Sequence, residues 1–239
     1  MKEKLYTVPV NDAFDAQSEC PVCTLYRDLE RRAVEFVLGP SYMEDDVRSM
    51  TNELGFCGTH LDILLKEKNR LGLAMILKTH LDRQLQETEK FTKTRIKPRN
   101  LLKNDSADFT VWAKTKENTC FVCAKIGALY PHYVGTIVYL YKKEADFREK
   151  FGKCKGFCGA HAADLIEEGR KQLHGEELQG FYDLTMKLYR DGLSRLRDDL
   201  EWFAQKFDYR FRDEPWKESK DSIERAAVKT NGLLRDSNS

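Results

Sequence analysis

A four-part metal-ligand pattern occurs twice in this chain and constrains its fold more than any other feature. Each copy reads Cys-x2-Cys, then 31 or 32 residues, then Gly-Phe-Cys-x2-His. The first predicted set is Cys20, Cys23, Cys57 and His60, and the second is Cys120, Cys123, Cys158 and His161. Three thiolates and one imidazole form a closed tetrahedral ligand set for zinc. The sequence therefore predicts two zinc ions per chain, one in each copy.

The spacing within each copy suits ligands at the starts of helices. A Cys-x2-Cys turn at a helix N-terminus points two sulfurs at one place, and the positive end of the helix dipole favours their thiolate form. In Cys57-x2-His60 the two ligands are three positions apart, so they share one helical face. The glycine before each Phe-Cys pair, Gly55 or Gly156, allows the sharp backbone turn that leads into the helix.

The apolar pattern between these motifs is helical. Leu73, Ile76, Leu77, Leu81 and Leu85 recur at helical spacing, and almost no segment alternates with the period of a strand. The predicted fold class is all-α, a duplicated helical repeat packed as one body, with an approximate two-fold relation between its halves. The predicted ranges are 1–103 for the first repeat with a basic connector, 104–206 for the second repeat, and 207–239 for a C-terminal docking helix and tail.

Acidic residues, proline and glycine predict the boundaries of two helices. The acidic cluster that begins at Glu44 lies in the first turns of a predicted helix from Tyr42 to Leu54. Near the C-terminus, Pro215 is suited to the first turn of a last helix, which Gly232 would end.

An odd seventh cysteine, Cys154, leaves a second reading of the metal chemistry open. With Cys120, Cys123 and Cys158 it offers four thiolates, which could hold an iron–sulfur cluster or release His161. A redox-sensitive thiol that displaces His161 is a further reading, and a buried spare thiol is the plain one. The corresponding position of the first copy is Glu53, so only the second repeat has this choice.

Motifs for catalysis are missing from the sequence. A catalytic zinc keeps an open coordination position, whereas four protein ligands in each copy leave none. Nucleophile-elbow, phosphate-loop and dinucleotide-binding glycine motifs are absent. His80, His132 and His174 are isolated in the sequence, and we read them as packing or surface residues. The sequence favours a non-enzymatic protein.

Charge and hydropathy limit the kinds of binding partner and the cellular compartment that we expect. The formal net charge is +1, which disfavours a general affinity for nucleic acid, although Lys90–Lys103 forms a basic connector. The N-terminus lacks a signal peptide, and no stretch has the 18 or more apolar residues of a membrane span. We expect a cytoplasmic protein, with a reducing environment that favours metal over disulfides.

The motifs together resemble a known group of proteins. The Cys-Pro-x-Cys start at Cys20, the two Gly-Phe-Cys-x2-His elements, and the tail Lys206-Phe-Asp-Tyr-Arg210 followed by Pro215-Trp216 and Ser219-Lys-Asp221 resemble an uncharacterised family of bacterial proteins, common among anaerobic Firmicutes. The resemblance covers residues 6–232 and implies a bacterial, cytoplasmic origin and the same metal ligands. It supplies no substrate or partner.

Two functional hypotheses follow. The first is a zinc-binding helical protein with two structural sites, an interaction or adaptor protein for a protein partner that the sequence does not identify. The second is a redox or electron-transfer protein that carries an iron–sulfur cluster or a redox-labile zinc-thiolate site in the second repeat.

Overall fold

The described part of the chain folds into helices. Our computed structural model describes residues 4–93 and 109–232, and within them it contains no strand, which confirms the all-α prediction. The α-helices of the described residues are α1 (Lys4–Asp15), α2 (Pro21–Leu38), α3 (Asp45–Leu54), α4 (Gly58–Lys66), α5 (Arg70–Thr92), α6 (Phe109–Glu117), α7 (Phe121–Lys143), α8 (Ala145–Lys153), α9 (Gly159–Gln172), α10 (Gly175–Gln205) and α11 (Ser222–Asn231). Two short 3-10 helices, Pro40–Met43 and Tyr209–Phe211, lie between them.

The chain divides into two compact units whose limits differ from those of the sequence repeats. Unit 1 combines Met1–Asp28 with Leu129–Ser239, and unit 2 is Leu29–Ala128. The divisions fall inside α2 and α7, so the first turns of each helix belong to one unit and the remainder to the other. The units therefore do not coincide with the predicted ranges 1–103, 104–206 and 207–239, and the two-fold relation of the repeats stays a prediction.

Aromatic side chains form the centre of unit 1. Phe14 of α1 contacts the ring of Phe147 at a centroid distance of 5.0 Å, and Phe151 contacts Phe157 at 5.1 Å and Phe181 at 5.4 Å. All five rings are buried, and such contacts contribute about 0.5–1.5 kcal/mol each beyond the area that they remove from water. This core joins α1, α8 and α10 to the turn that precedes α9.

Aliphatic side chains form the centre of unit 2, where α5 packs against α3 and α4. Leu64 of α4 and Leu73 and Ile76 of α5 are buried at the helical spacing that the sequence predicts. The start of α5 is fixed by Asn69, whose side chain accepts a hydrogen bond from the N–H of Gly72 and donates one to the carbonyl of Leu38. An N-cap of this kind contributes about 1 kcal/mol to helix stability.

Two predicted helix boundaries are wrong. The helix expected from Tyr42 is preceded by the 3-10 helix, and α3 begins only at Asp45, after the extended residue Glu44. The helix expected from Pro215 begins at Ser222, because residues 216–221 form turns, although Gly232 ends it in the left-handed conformation as predicted.

Among the described residues, α2, α5, α7 and α10 are long enough to be tested as bilayer spans, and none has the required apolar stretch. Of the predicted basic connector, residues 94–103 lie outside the described part of the chain. The described residue Lys93 pairs with Glu89, one turn earlier in α5, at 2.9 Å.

Candidate metal centres

The two Gly-Phe-Cys-x2-His elements have nearly the same backbone geometry. Cys57 is the N-cap of α4 with φ −71° and ψ 164°, and Cys158 is the N-cap of α9 with φ −74° and ψ 164°. Two residues earlier, Gly55 and Gly156 have positive φ angles of 60° and 97°, which glycine adopts without strain. Each element therefore presents its cysteine at a helix start and its histidine in the first turn, as the sequence predicts.

The two Cys-x2-Cys elements stand at the starts of α2 and α7. Cys20 immediately precedes α2 and Cys23 lies in its first turn, while Cys120 and Cys123 hold the same positions at α7. In unit 2 the start of α7 is hydrogen-bonded to the turn that leads into α4, because the N–H of Phe121 donates to the carbonyl of Gly55 at 2.9 Å. This bond places a Cys-x2-Cys element of the second repeat beside a Gly-Phe-Cys-x2-His element of the first.

One group of ligands lies in unit 1, and we call it cluster A: Cys20, Cys23, Cys158 and His161. The Nδ1 atom of His161 lies 3.2 Å from the Sγ atoms of Cys23 and Cys158 and 3.5 Å from that of Cys20. The Sγ atoms of Cys23 and Cys158 are 3.7 Å apart. A disulfide would require a separation of about 2.05 Å, so these are separate thiols arranged around a common point.

The other group lies in unit 2, and we call it cluster B: Cys57, His60, Cys120 and Cys123. The Nδ1 atom of His60 lies 3.2 Å from the Sγ of Cys57 and 3.3 Å from those of Cys120 and Cys123. The Sγ atoms of Cys57 and Cys123 are 3.9 Å apart. In each cluster all four ligand atoms lie within 4.8 Å of one another, so either group could hold a metal ion.

The pairing of the motifs differs from the sequence prediction. The structure brings all eight predicted residues into two groups, but Cys20 and Cys23 join Cys158 and His161 rather than the elements of their own repeat. The two sets given above from the sequence are therefore wrong as sets. The helices explain the exchange, because α9 lies beside the start of α2 in unit 1 and α4 lies beside the start of α7 in unit 2.

Cluster A is buried and lies under the last described helix. Cys20, Cys23 and Cys158 expose 0%, 1% and 1% of their surface. A β-carbon placed on Gly232, just after α11, would lie 3.7 Å from the sulfurs of both Cys23 and Cys158. The end of α11 therefore covers the sulfur atoms of Cys23 and Cys158.

A buried lysine fastens α11 to both elements of cluster A. Lys229 donates hydrogen bonds from Nζ to the carbonyl of Glu19, at 2.5 Å, and to that of Lys155, at 2.9 Å. Glu19 directly precedes Cys20, and Lys155 precedes the glycine of the second element. The Glu19 carboxylate lies 3.4 Å from the same ammonium and 2.5 Å from the guanidinium of Arg195, so the buried charge of Lys229 is compensated.

Cluster B is more open and its histidine has a carboxylate partner. Cys120 is buried, Cys57 is half-buried and Cys123 is exposed. His60 uses its second ring nitrogen, Nε2, to contact Oε1 of Glu30 in α2 at 3.1 Å. A carboxylate at this position fixes the ring orientation of a metal-binding histidine and increases its basicity.

The pKa shifts within the clusters favour at least one thiolate in each. Burial opposes ionisation of Cys120, but hydrogen bonds with His60 and with backbone N–H groups lower its pKa to about 6. Hydrogen bonds with the other two cysteines of cluster A lower the pKa of Cys158. Burial favours neutral His60, but hydrogen bonds with Cys120 and Glu30 outweigh it and raise the pKa of His60 to about 10. A metal ion bound to cluster B would therefore replace a proton on His60.

Cys154 is buried but belongs to neither cluster among the described residues. Burial raises the pKa of its thiol to about 11, so it stays protonated at neutral pH. The predicted four-thiolate group of Cys120, Cys123, Cys154 and Cys158 is not formed, because Cys120 and Cys123 lie in cluster B, Cys158 lies in cluster A and Cys154 lies in neither. This outcome agrees with the reading of Cys154 as a spare buried thiol.

Two isolated histidines have packing contacts. The Nδ1 atom of His80 lies 2.9 Å from the carbonyl oxygen of Asn52, and its ring fills the space beside Gly55. His132 stacks on Tyr6 with ring centroids 5.4 Å apart. The functional neighbours that the sequence did not reveal are Glu30 and Lys229, since neither lies in a motif.

Comparison with known proteins adds a family but no activity. No curated protein and no solved structure matches the chain. A family model described as a family of unknown function (DUF6062) matches residues 1–237, nearly the whole chain. Over this extent the match is decisive, and the chain belongs to that family of unknown function, DUF6062.

Proposed function

We propose that this chain is a zinc-stabilised helical protein in which clusters A and B each hold one structural zinc ion. The observation that carries the proposal is the geometry of the ligand atoms. Zn–S and Zn–N bonds of about 2.3 and 2.05 Å in a tetrahedron place ligand sulfurs about 3.8 Å apart, and sulfur and nitrogen about 3.5 Å apart. The clusters have sulfur–sulfur distances of 3.7 and 3.9 Å and sulfur–nitrogen distances of 3.2–3.5 Å.

The same geometry favours one ion per cluster over an iron–sulfur cluster. The four ligands of an iron–sulfur cluster are shared among two or more irons, so as a set they spread further apart than the ligands of a single ion. All four ligand atoms of each group lie within 4.8 Å of one another. A mixed set of thiolates and one imidazole is also a common zinc set.

Four protein ligands leave no coordination position for a substrate, so we assign the ions a structural role. Each ion would join the start of a helix in one repeat to the start of a helix in the other, α2 to α9 and α7 to α4. This role agrees with a protein that acts by presenting a surface rather than by catalysis.

An exposed apolar stripe on α5 supports a protein partner. Leu71, Leu81 and Leu85 expose 68%, 57% and 71% of their surface, and the exposed residues Ala74 and Lys78 lie between them. The spacing of three and four residues is that of a coiled-coil seam, and an amphipathic partner helix is the structure that fits it. We therefore propose an interaction or adaptor protein whose α5 stripe receives a helix.

Elemental analysis of protein purified without oxygen tests the metal assignment. We expect two zinc ions per chain, no visible absorption band, and the same content in the control variant Cys154→Ser. Iron in the protein, or a band near 400 nm that disappears in Cys154→Ser, would refute the assignment and support the redox alternative.

A second experiment tests whether the apolar stripe on α5 binds a protein partner. Substituting both Leu81 and Leu85 with lysine should abolish binding of a protein partner that the wild-type chain retains, without changing zinc content or helicity. Ile223→Lys is the matched control, since Ile223 is a similar apolar residue that is 52% exposed on α11. Loss of the partner in both variants, or in neither, would refute the role of the stripe.

A further inference from the structure

The two clusters have the same ligands but different access to solvent. In cluster A the three cysteines expose 1% of their surface or less. In cluster B, Cys120 exposes 5%, but Cys57 is half-buried and Cys123 is exposed. Because thiolate oxidation depends on access as well as on charge, the clusters should differ in reactivity although their chemistry is the same.

Glycines at equivalent positions in the two Cys-x2-His elements show the difference in solvent access. Gly58 and Gly159 directly follow the cysteines that cap α4 and α9. A β-carbon at Gly159 would meet the hydroxyl of Tyr189 at 3.5 Å, whereas one at Gly58 would meet nothing within 4 Å. Both Gly58 and the next residue, Thr59, are exposed. Solvent therefore reaches the start of α4 directly, whereas at the start of α9 the side chain of Tyr189 in α10 lies beside Gly159, which is half-buried.

The cover over cluster A is held by specific contacts. Gly232 stands over the sulfurs of Cys23 and Cys158, and the buried ammonium of Lys229 binds the carbonyls before both ligand elements. Movement of α11, with loss of these hydrogen bonds, would expose the sulfurs of Cys23 and Cys158 to a hydroperoxide. Cluster B can be reached at Cys123 without any movement of a helix.

From this asymmetry we propose that cluster B is an oxidant-responsive modification site, at which a hydroperoxide converts Cys123 and Cys57 to a disulfide and releases one zinc ion. The proposal rests on the zinc assignment above. It places the reactive thiols at the exposed cluster in unit 2, not beside Cys154.

The oxidation of Cys123 and Cys57 to a disulfide takes two steps. Cys123 is a thiolate when it is a zinc ligand; its sulfur attacks the outer oxygen of the hydroperoxide, an S–O bond forms, and the O–O bond breaks. The departing alkoxide takes a proton from water to become an alcohol, and Cys123 becomes a sulfenic acid, oxidised by two electrons. The Cys57 thiolate then attacks the Cys123 sulfur, an S–S bond forms, and hydroxide leaves.

Distance and exposure suit Cys57 to be the second thiol, since it lies close to Cys123 and is half-buried whereas Cys120 is buried. The Sγ atom of Cys57 is 3.9 Å from that of Cys123, and a disulfide requires about 2.05 Å, so a movement of about 2 Å is enough. Only Cys120 and His60 would remain as ligands, and two ligands do not hold a structural zinc. The zinc ion itself undergoes no redox change.

Treatment of the wild-type protein with tert-butyl hydroperoxide tests the proposal. Zinc is first counted by elemental analysis, then its release is followed with a colorimetric chelator, and the cysteines are alkylated under denaturing conditions and mapped by mass spectrometry. We expect one of two zinc ions to be released at least tenfold faster than the other. The first product should contain a Cys57–Cys123 disulfide, with Cys20, Cys23 and Cys158 still alkylated.

Other results would contradict the proposed oxidation of cluster B, and each differs from the result expected if the zinc assignment itself were wrong. Fewer than two zinc ions before oxidation would contradict the zinc assignment itself. Two ions that leave at the same rate, or earlier oxidation of cluster A, would refute only the reactivity of cluster B. A first disulfide between Cys120 and Cys123 would refute the role of Cys57.

The variant Lys229→Met tests the protective role of α11. It removes the hydrogen bonds that fasten α11, so oxidation of Cys23 and Cys158 should become at least tenfold faster while release from cluster B keeps its rate. Circular dichroism confirms that the variant is folded before the comparison. An unchanged rate at cluster A in the folded variant would refute protection by α11.

Discussion

Paired cysteine substitutions distinguish the observed pairing of the motifs from the pairing within each repeat. The informative variants are the single changes Cys20→Ser, Cys57→Ser and Cys158→Ser, and the doubles Cys20→Ser/Cys158→Ser and Cys20→Ser/Cys57→Ser. In the structure, Cys20 and Cys158 belong to one cluster, whereas Cys20 and Cys57 belong to two. The first double variant should therefore keep one zinc ion and the second should keep none.

The sizes of the chain loops that the ions close give the stability change. Cys23 and Cys158 are 135 positions apart and His60 and Cys120 are 60 apart. Treating each ion as a cross-link that restricts the unfolded chain gives about 5 kcal/mol for cluster A and about 4 kcal/mol for cluster B. Two substitutions in one cluster should thus cost about as much as one. Two substitutions in different clusters should cost about 9 kcal/mol, comparable with the 5–15 kcal/mol that stabilises a typical domain.

Urea unfolding followed by circular dichroism measures the free energy of unfolding, and elemental analysis measures the zinc content of the same samples. The Cys20→Ser/Cys158→Ser variant should match its single parents in both measurements, while Cys20→Ser/Cys57→Ser should be metal-free and largely unfolded. The reverse result, with one ion kept in Cys20→Ser/Cys57→Ser and none in Cys20→Ser/Cys158→Ser, would refute the observed pairing. Additive losses in both doubles would refute the cross-link reasoning.

Three further predictions concern single side chains. Glu30→Gln removes the charge beside His60 and should weaken zinc binding at cluster B about 10–100-fold in a chelator competition, while cluster A keeps its affinity. Equal weakening at both clusters would argue against a role of Glu30 in orienting His60. Burial would raise the pKa of Glu87, but hydrogen bonds with Arg83, Lys116 and Trp112 outweigh it and lower this pKa from 4.5 to about 2. The Glu87 carboxylate therefore stabilises the fold above pH 4.5, and this stabilisation is lost as the pH falls through 2. Glu87→Gln should cost about 1 kcal/mol at pH 7 and nothing near pH 2, and a constant cost in urea unfolding at both pH values would contradict this. Gly156→Ala places a β-carbon against the backbone carbonyl oxygen of Leu188 at a positive φ of 97° and should cost about 3 kcal/mol or more in thermal unfolding. A β-carbon in the matched control Gly58→Ala meets no atom within 4 Å, so this variant should change stability by less than about 1 kcal/mol.

The ligands could be predicted from the sequence because their spacing is a local property. Cys57 and His60 lie on one face of one helix turn, and Gly55 supplies the backbone turn before them, so a dozen residues contain the whole signal. Which Cys-x2-Cys element meets which Cys-x2-His element depends on the packing of helices from distant parts of the chain. The two Cys-x2-Cys elements offer the same ligands, as do the two Cys-x2-His elements, so no local pattern distinguishes the two pairings.

The residues around the clusters could not be predicted for a different reason. Glu30 and Lys229 are single charged residues on helices in a chain of which 33% of residues are charged. A carboxylate that orients a histidine and an ammonium that binds two carbonyls look, in the sequence, like ordinary solvated side chains. Only the positions of Glu19, Lys155 and His60 in the structure show what these two residues contact.

The exchanged pairing gives the duplication a structural meaning that two independent sites would not have. Each cluster takes its Cys-x2-Cys element from one repeat and its Cys-x2-His element from the other, so neither repeat completes a metal site by itself in this structure. Loss of the ion at cluster B would therefore remove one of the two metal-mediated connections between the repeats and leave the buried one at cluster A. A helical protein with one open and one covered connection can change locally on oxidation and still stay folded.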